Sequence, residues 1–356
     1  MSQTVILTSP ALPPTPAPPT TARVAWVDYL KGITIFLVVA GHGIGGLHTA
    51  GIVPDAAFNY PYRWIYAFHM PGFFLAAGLF ASRSLRHGFA EFLDGKLRGI
   101  AYPYLLWSVI QWASHMVMAS HTNTPPDRFQ LLKLFYVAPM NFWFLYTLFA
   151  ILMVYALFTH LRIGPPVFLL IAVALHLGSS TPPDWFWGLG LAVASNLLYF
   201  AIGVVLSDKL NSLAATASVS LLLALATACF TLMSVAVYCD VSHRFPFARA
   251  VPALLGITAL FSISAVLAVR RKLIGISSLG VLSMEIYVAH GLALVFTRVA
   301  LSRILGIRSW PVYVIAGISM GVLAPVALAW VCNKTGFPYL YRLPRKLKPT
   351  APFALP

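Results

Sequence analysis

Apolar residues dominate this chain in long unbroken runs, separated by short polar segments that carry most of the charge. A helix needs about 20 apolar residues to cross a hydrocarbon core. Windows of that length predict about ten spans, near 24–44, 63–82, 99–119, 142–160, 164–178, 188–206, 214–238, 250–269, 278–300 and 311–332. The fifth is short and bounded by Pro165 and Pro166. The segment 120–141 is too polar to span, and within it Phe129–Val137 is expected to lie along the interface as an amphipathic helix. The fold class is therefore all-α, a polytopic integral membrane protein. Three parts are expected: a disordered Pro/Thr-rich cytoplasmic tail at 1–22, a transmembrane domain at 23–333, and a basic cytoplasmic tail at 334–356. The first tail lacks the ordered charge, apolar core and cleavage site of a leader peptide.

Composition agrees. Of 356 residues, 59% are hydrophobic and 9% charged, with a mean hydropathy of +0.82. Soluble domains carry roughly 25% charged residues, so a water-soluble enzyme, a secreted domain and a disordered protein are excluded. Net charge is +15. The basic residues segregate between alternate loops, 15 on one side and 7 on the other, which predicts both termini in the cytoplasm of a cell-membrane protein. Topology thus accounts for the charge, and no nucleic acid is expected as a partner. Cys229, Cys239 and Cys332 have no paired spacing, so no structural disulfide is predicted.

Ionisable groups inside a bilayer cost at least about 2.5–3.5 kcal/mol each on insertion scales, so each is a functional candidate. On the first span, Asp28 and Lys31 are three apart and share a face. His42 follows Lys31 by eleven residues, which returns it to that face about 16 Å further along the axis. One stripe therefore carries an acid, a base and an imidazole. Two plain alternatives stand beside it: an interfacial ion pair with Lys31 snorkelling, and a satisfied core histidine. His69 precedes Pro71 and can serve a carbonyl freed by that proline. Gly72, Ala76, Ala77 and Gly78 permit close helix packing or close approach of a ligand.

Beyond this span, Arg83 and Arg86, three apart, precede Lys96 and Arg98. Four bases on one short loop suit a polyanion such as a phosphorylated cofactor, although topology alone also demands a positive loop. On the ninth span Ser283, Tyr287 and His290 share one face, suited to catalysis or to interhelical hydrogen bonding, and Glu285 points elsewhere. His115 and His176 have no ionisable neighbour at helical spacing and read as structural. Metal-ligand spacings, a P-loop and the nucleophile-elbow motif are all missing, so no metal is expected and any chemistry must come from the bundle.

Five segments, in order, resemble the membrane acyltransferase family 3, in its fucose-O-acetylase-like branch. VDYLKGITIFLVVAGH is similar to the family's opening signature, with Lys31 where many members have Arg. FHMPGFFLAAG, KLRGIAYPYLLWS, NFWFL and SMEIYVAHGL follow between residues 68 and 292. The resemblance implies transfer of an acyl group, usually acetyl from cytoplasmic acetyl-CoA, to a hydroxyl of a glycan or lipid-linked sugar. It gives His42 the essential role and matches Arg83 and Arg86 to an Arg-x-x-Arg pattern, with Lys96 and Arg98 as competitors. Asp28, Lys31, His69, Tyr287 and His290 complete the expected catalytic set, with Tyr287 or His290 as candidate oxyanion donors. No permanently bound cofactor is expected. The expected partners are the acyl-CoA donor, the sugar acceptor and the lipid bilayer. No fused hydrolase-like domain is read in the sequence, so the chain is expected to complete the transfer itself or hand the acyl group on. A non-enzymatic transporter or flippase of a glycan or lipid is the rival reading of the same buried polar residues.

Overall fold

The computed structural model describes residues 24–119, 127–136, 142–182 and 188–345. The described residues form helices and turns with no strand. In chain order the α-helices are α1 (Ala25–Thr49), α2 (Asp55–Tyr66), α3 (His69–Leu79), α4 (Ala81–Leu85), α5 (Phe89–Lys96), α6 (Tyr102–Val117), α7 (Trp143–His160) and α8 (Pro165–Gly178). They continue with α9 (Gly188–Thr216), α10 (Val219–Tyr238), α11 (Val241–Arg244), α12 (Ala250–Arg270), α13 (Ile274–Val281), α14 (Ser283–Val299) and α15 (Trp310–Lys334). Seven of these, counting α14 together with the turn that follows it, are long and apolar enough to cross a membrane: α1, α7, α9, α10, α12, α14 and α15. The other three expected spans fall on α2 with α3, on α6, and on α8, which are shorter or interrupted.

Helix α1 is the axis of the bundle. It packs against α2, α3, α12, α13, α14 and α15, and it buries Trp26, Leu30, Ile35, Val38 and Val39 around its circumference. A helix apolar on all sides has to sit inside other helices. Since lipid tails are as apolar as leucine, such helices associate through close packing rather than hydrophobic exclusion. The α1–α13 crossing illustrates this: a Cβ on Gly32 would collide with the Ile276 carbonyl, and one on Gly280 with the Asp28 carbonyl. Gly78 serves α3 in the same way, because a side chain there would strike the Phe200 carbonyl of α9.

Local chemistry sets the breaks. Between α12 and α13 the chain reverses through Arg271 and Leu273, both left-handed with φ of 50°. That conformation costs a non-glycine residue roughly 1–2 kcal/mol, and Tyr29 of α1 secures the turn by donating to the Lys272 carbonyl at 2.7 Å. Two π-helical turns interrupt regular winding, Leu97–Ala101 before α6 and Ala300–Ile304 after α14. The expected interfacial helix at Phe129–Val137 is not formed over its described part, where only a 3₁₀ turn, Gln130–Lys133, appears; Val137 lies outside the described residues. Asp127 explains the tight turn, accepting the Phe129 N–H at 2.9 Å and pairing with Lys133 at 2.7 Å.

The segment after α15 straps onto α5 and α6. Trp107 donates to the Leu340 carbonyl at 2.6 Å, and the Leu343 N–H to the Arg98 carbonyl at 3.2 Å. Arg345 pairs with Glu91 at 2.8 Å and Asp94 at 3.4 Å. These partners hold both carboxyls below the usual carboxylate range, Arg345 acting on Glu91 and chiefly Arg98 on Asp94.

Candidate active site

Helices α1 and α14 bring together two histidines 248 residues apart. His42 Nδ1 lies 2.7 Å from His290 Nε2, and the rings meet edge to edge and nearly coplanar, with centroids 5.0 Å and planes 9° apart. His290 Nδ1 lies 2.6 Å from the Tyr287 carbonyl and 3.2 Å from that of Ile286. A carbonyl only accepts, so Nδ1 of His290 carries its proton and Nε2 is the acceptor. His42 Nδ1 must then donate, which leaves the lone pair of a neutral His42 on Nε2. Two hydrogen bonds in series therefore fix both the tautomer and the orientation of His42.

His42 lies on the wall of a cavity of about 530 Å³ that runs along the C-terminal half of α1. Gly41, Gly43, Gly45 and Gly46 keep α1 slim there, and Phe58, Tyr62, Tyr66, Trp143 and Tyr313 supply aromatic walls. Polar groups are few. Gln111, Ser114 and His115 come from α6, and Arg298 comes from α14. Gln111 is buried, and its Oε1 has no protein partner. A buried unpaired amide oxygen costs roughly 1–3 kcal/mol, a cost relieved by a polar ligand atom or water beside it.

The expected site residues divide by position. His42 and His290 form the dyad, with His290 fully buried behind His42. Tyr287 gives His290 its carbonyl, but its ring packs against Phe142 and Phe144, away from the cavity lining. His69 donates from Nδ1 to the Ile65 carbonyl at 2.7 Å, in the break between α2 and α3. The Tyr66 ring lies 4.8 Å from that of His69 and 6.3 Å from that of His42. Asp28 and Lys31 sit at the other end of α1, where Lys31 and Arg342 are the cations whose charge reaches Glu285.

The basic loop also divides. Arg83 and Arg86 are exposed on and just after α4. Lys96 joins them by donating to Ser84 at 3.3 Å, and burial lowers its pKa from the ordinary lysine value. Arg98 is engaged elsewhere, with Asp94 at 2.7 Å and the Pro344 carbonyl at 2.9 Å. It fastens the C-terminal strap.

Gln111, Tyr66 and Arg298 were not singled out from the sequence, and His115 reads there as structural. Gln111, Ser114 and His115 fall at i, i+3 and i+4 on one face of α6, but only the packing of α2, α6 and α14 around α1 brings that face, Tyr66 and Arg298 to the cavity beside His42. His176 keeps its structural reading, with Nδ1 on the Ser195 carbonyl at 2.8 Å.

In this apolar helical bundle a half-buried imidazole, oriented by a second imidazole, faces a cavity of substrate size. The acyltransferase domain family matches residues 24–330, and the chain belongs to that family. No curated protein and no solved structure matches the chain.

Proposed function

We propose that this protein is an integral membrane O-acyltransferase that moves an acetyl group from cytoplasmic acetyl-CoA to a sugar hydroxyl of a cell-surface or exported glycan. The observation that carries the reading is the His42–His290 pair, which leaves His42 Nε2 basic at the cavity. In this mechanism Nε2 takes the proton of the acceptor hydroxyl as its oxygen attacks the thioester carbonyl. The C–O bond forms, the tetrahedral intermediate collapses, and the C–S bond breaks. The CoA thiolate leaves with the proton from His42, giving the ester and free CoA. Gln111 and Tyr66 offer hydrogen-bonding groups on the same wall.

Arg83, Arg86 and Lys96 would hold the CoA phosphates, and Arg98 would support them by keeping α5 and the strap in place. Lys31 lies about 16 Å below His42 along α1, and the thioester arm would rise through this interval. Both termini lie in the cytoplasm in this reading, as the charge segregation predicts.

The test is acceptor-dependent release of the CoA thiol. Membranes with wild-type protein, host glycolipid and acetyl-CoA should liberate free thiol, and membranes with His42→Ala should not. Release at the same rate from both would remove His42 from the chemistry.

A further inference from the structure

The cavity offers more than a reacting centre, because its charge is one-sided. Among the described residues that line it, Arg298 is the only permanently charged side chain, and no Asp or Glu is present. Arg298 follows His290 by eight residues on α14, about 12 Å along the helix axis. The direction is away from Lys31 and towards the C-terminal end of α1, where Leu47 and Thr49 line the cavity. The rim beyond it carries two more bases and one acid, Asp55, which sits 2.7 Å from His48. Arg303 and Arg308 are exposed in the connection from α14 to α15. That connection is tied to the cavity wall, since Tyr313 lines the cavity and donates to the Ile307 carbonyl at 2.8 Å. No acidic residue occurs anywhere from Ile286 to Pro356.

A guanidinium keeps its charge whatever neighbours it touches, and its five donors in a planar fork match carboxylate and phosphate oxygens. With few opposing charges and low-dielectric aromatic walls, its field extends along the cavity. We infer that the acyl acceptor is anionic, carrying a carboxylate or phosphate that Arg298 holds more than one sugar ring away from the hydroxyl presented to His42. This rests on the acyltransferase reading of the site. Arg298 would select the acceptor and set its register, leaving the chemistry to His42.

The experiment uses the full chain in phosphatidylcholine nanodiscs. Three trisaccharides, identical except for a terminal glucuronate, glucose 6-phosphate or neutral glucose, are titrated and their dissociation constants compared. At least one anionic probe should bind wild type about tenfold or more tightly than the neutral one, as expected for a charge-assisted contact. The better anionic probe tells whether carboxylate or phosphate is read. Arg298→Gln should lose most of this preference. Arg298→Lys, which keeps the charge and serves as the folding control, should retain part of it. Equal binding of all three probes, binding of none, or a preference that survives in Arg298→Gln would overturn the inference. Acetyl-CoA consumption on the same samples separates the two claims. Consumption without anion preference refutes only the role of Arg298, and anion preference without consumption refutes the enzyme.

Discussion

Replacing His290 with phenylalanine tests the dyad most sharply, because His290 touches no substrate in this account. Its Nε2 accepts from His42 Nδ1 at 2.7 Å while its own Nδ1 is anchored on the Tyr287 carbonyl. A phenylalanine ring leaves the Nδ1–H of His42 buried without an acceptor and lets the imidazole change tautomer or turn. The stability cost of one unsatisfied buried donor is roughly 1–3 kcal/mol. The kinetic cost is larger, since losing a correctly protonated, correctly aimed base removes about 10²–10⁴ in rate, or about 2.7–5.4 kcal/mol at 1.36 kcal/mol per decade. Initial rates of acetyl transfer at varied acetyl-CoA concentration should show that fall in kcat, with KM for acetyl-CoA within about threefold of wild type. His290→Gln, whose amide oxygen can still accept from His42, should recover at least about tenfold of the loss. A purely structural role would lower active protein in both variants without separating kcat from rescue. Phenylalanine and glutamine variants equal in rate would refute the positioning argument.

Three further outcomes follow from the geometry. Gly280→Ala should destabilise the protein by about 1–3 kcal/mol in detergent thermal melts, because its Cβ meets the Asp28 backbone; Gly95→Ala, with open space around it in α5, should instead be neutral or slightly stabilising. The KM for acetyl-CoA should rise with alkaline pH before an ordinary lysine would titrate, because burial lowers the Lys96 pKa and its charge is therefore lost sooner; Lys96→Arg should abolish that rise. The C-terminal strap should loosen as pH falls through the depressed pKa values of Glu91 and Asp94, since groups of that kind stabilise above the unfolded pKa and lose the contribution below the folded one. Faster pepsin cleavage near Arg345 in acid, compared with Glu91→Gln, would report it.

Most of the bundle was legible in the sequence because span length is a physical requirement of a bilayer. The end of α7 at His160 and the start of α12 at Ala250 fall where hydropathy puts them. α9 runs on to Thr216, ten residues past its apolar window, through the good helix formers Lys209, Leu210, Leu213, Ala214 and Ala215. The ninth window conceals a junction at Leu282, where α13 stops and α14 begins; averaging over the window hides the Gly280 and Ser283 that flank it.

The site was half legible. His42 and the buried face of Ser283, Tyr287 and His290 are visible as helical spacing, and the structure buries all three of the latter. Their meeting is a tertiary event between α1 and α14, which no local pattern encodes. Gln111 shares a helical face with Ser114 and His115, and Arg298 is a charge inside an apolar window, but neither helix alone tells that these groups turn to His42. Arg98 shows the opposite limit: its loop and spacing match those of a ligand-binding base, but the strap carbonyl of Pro344 and the Asp94 carboxylate claim it.

The decisive measurement is transfer of labelled acetyl from acetyl-CoA to membrane glycolipid by wild type and by His42→Ala. Label should appear in a glycan ester with wild type and fall at least about a hundredfold with His42→Ala. Equal labelling by the two proteins, or glycan that stays unlabelled while wild-type protein binds both substrates, would contradict it.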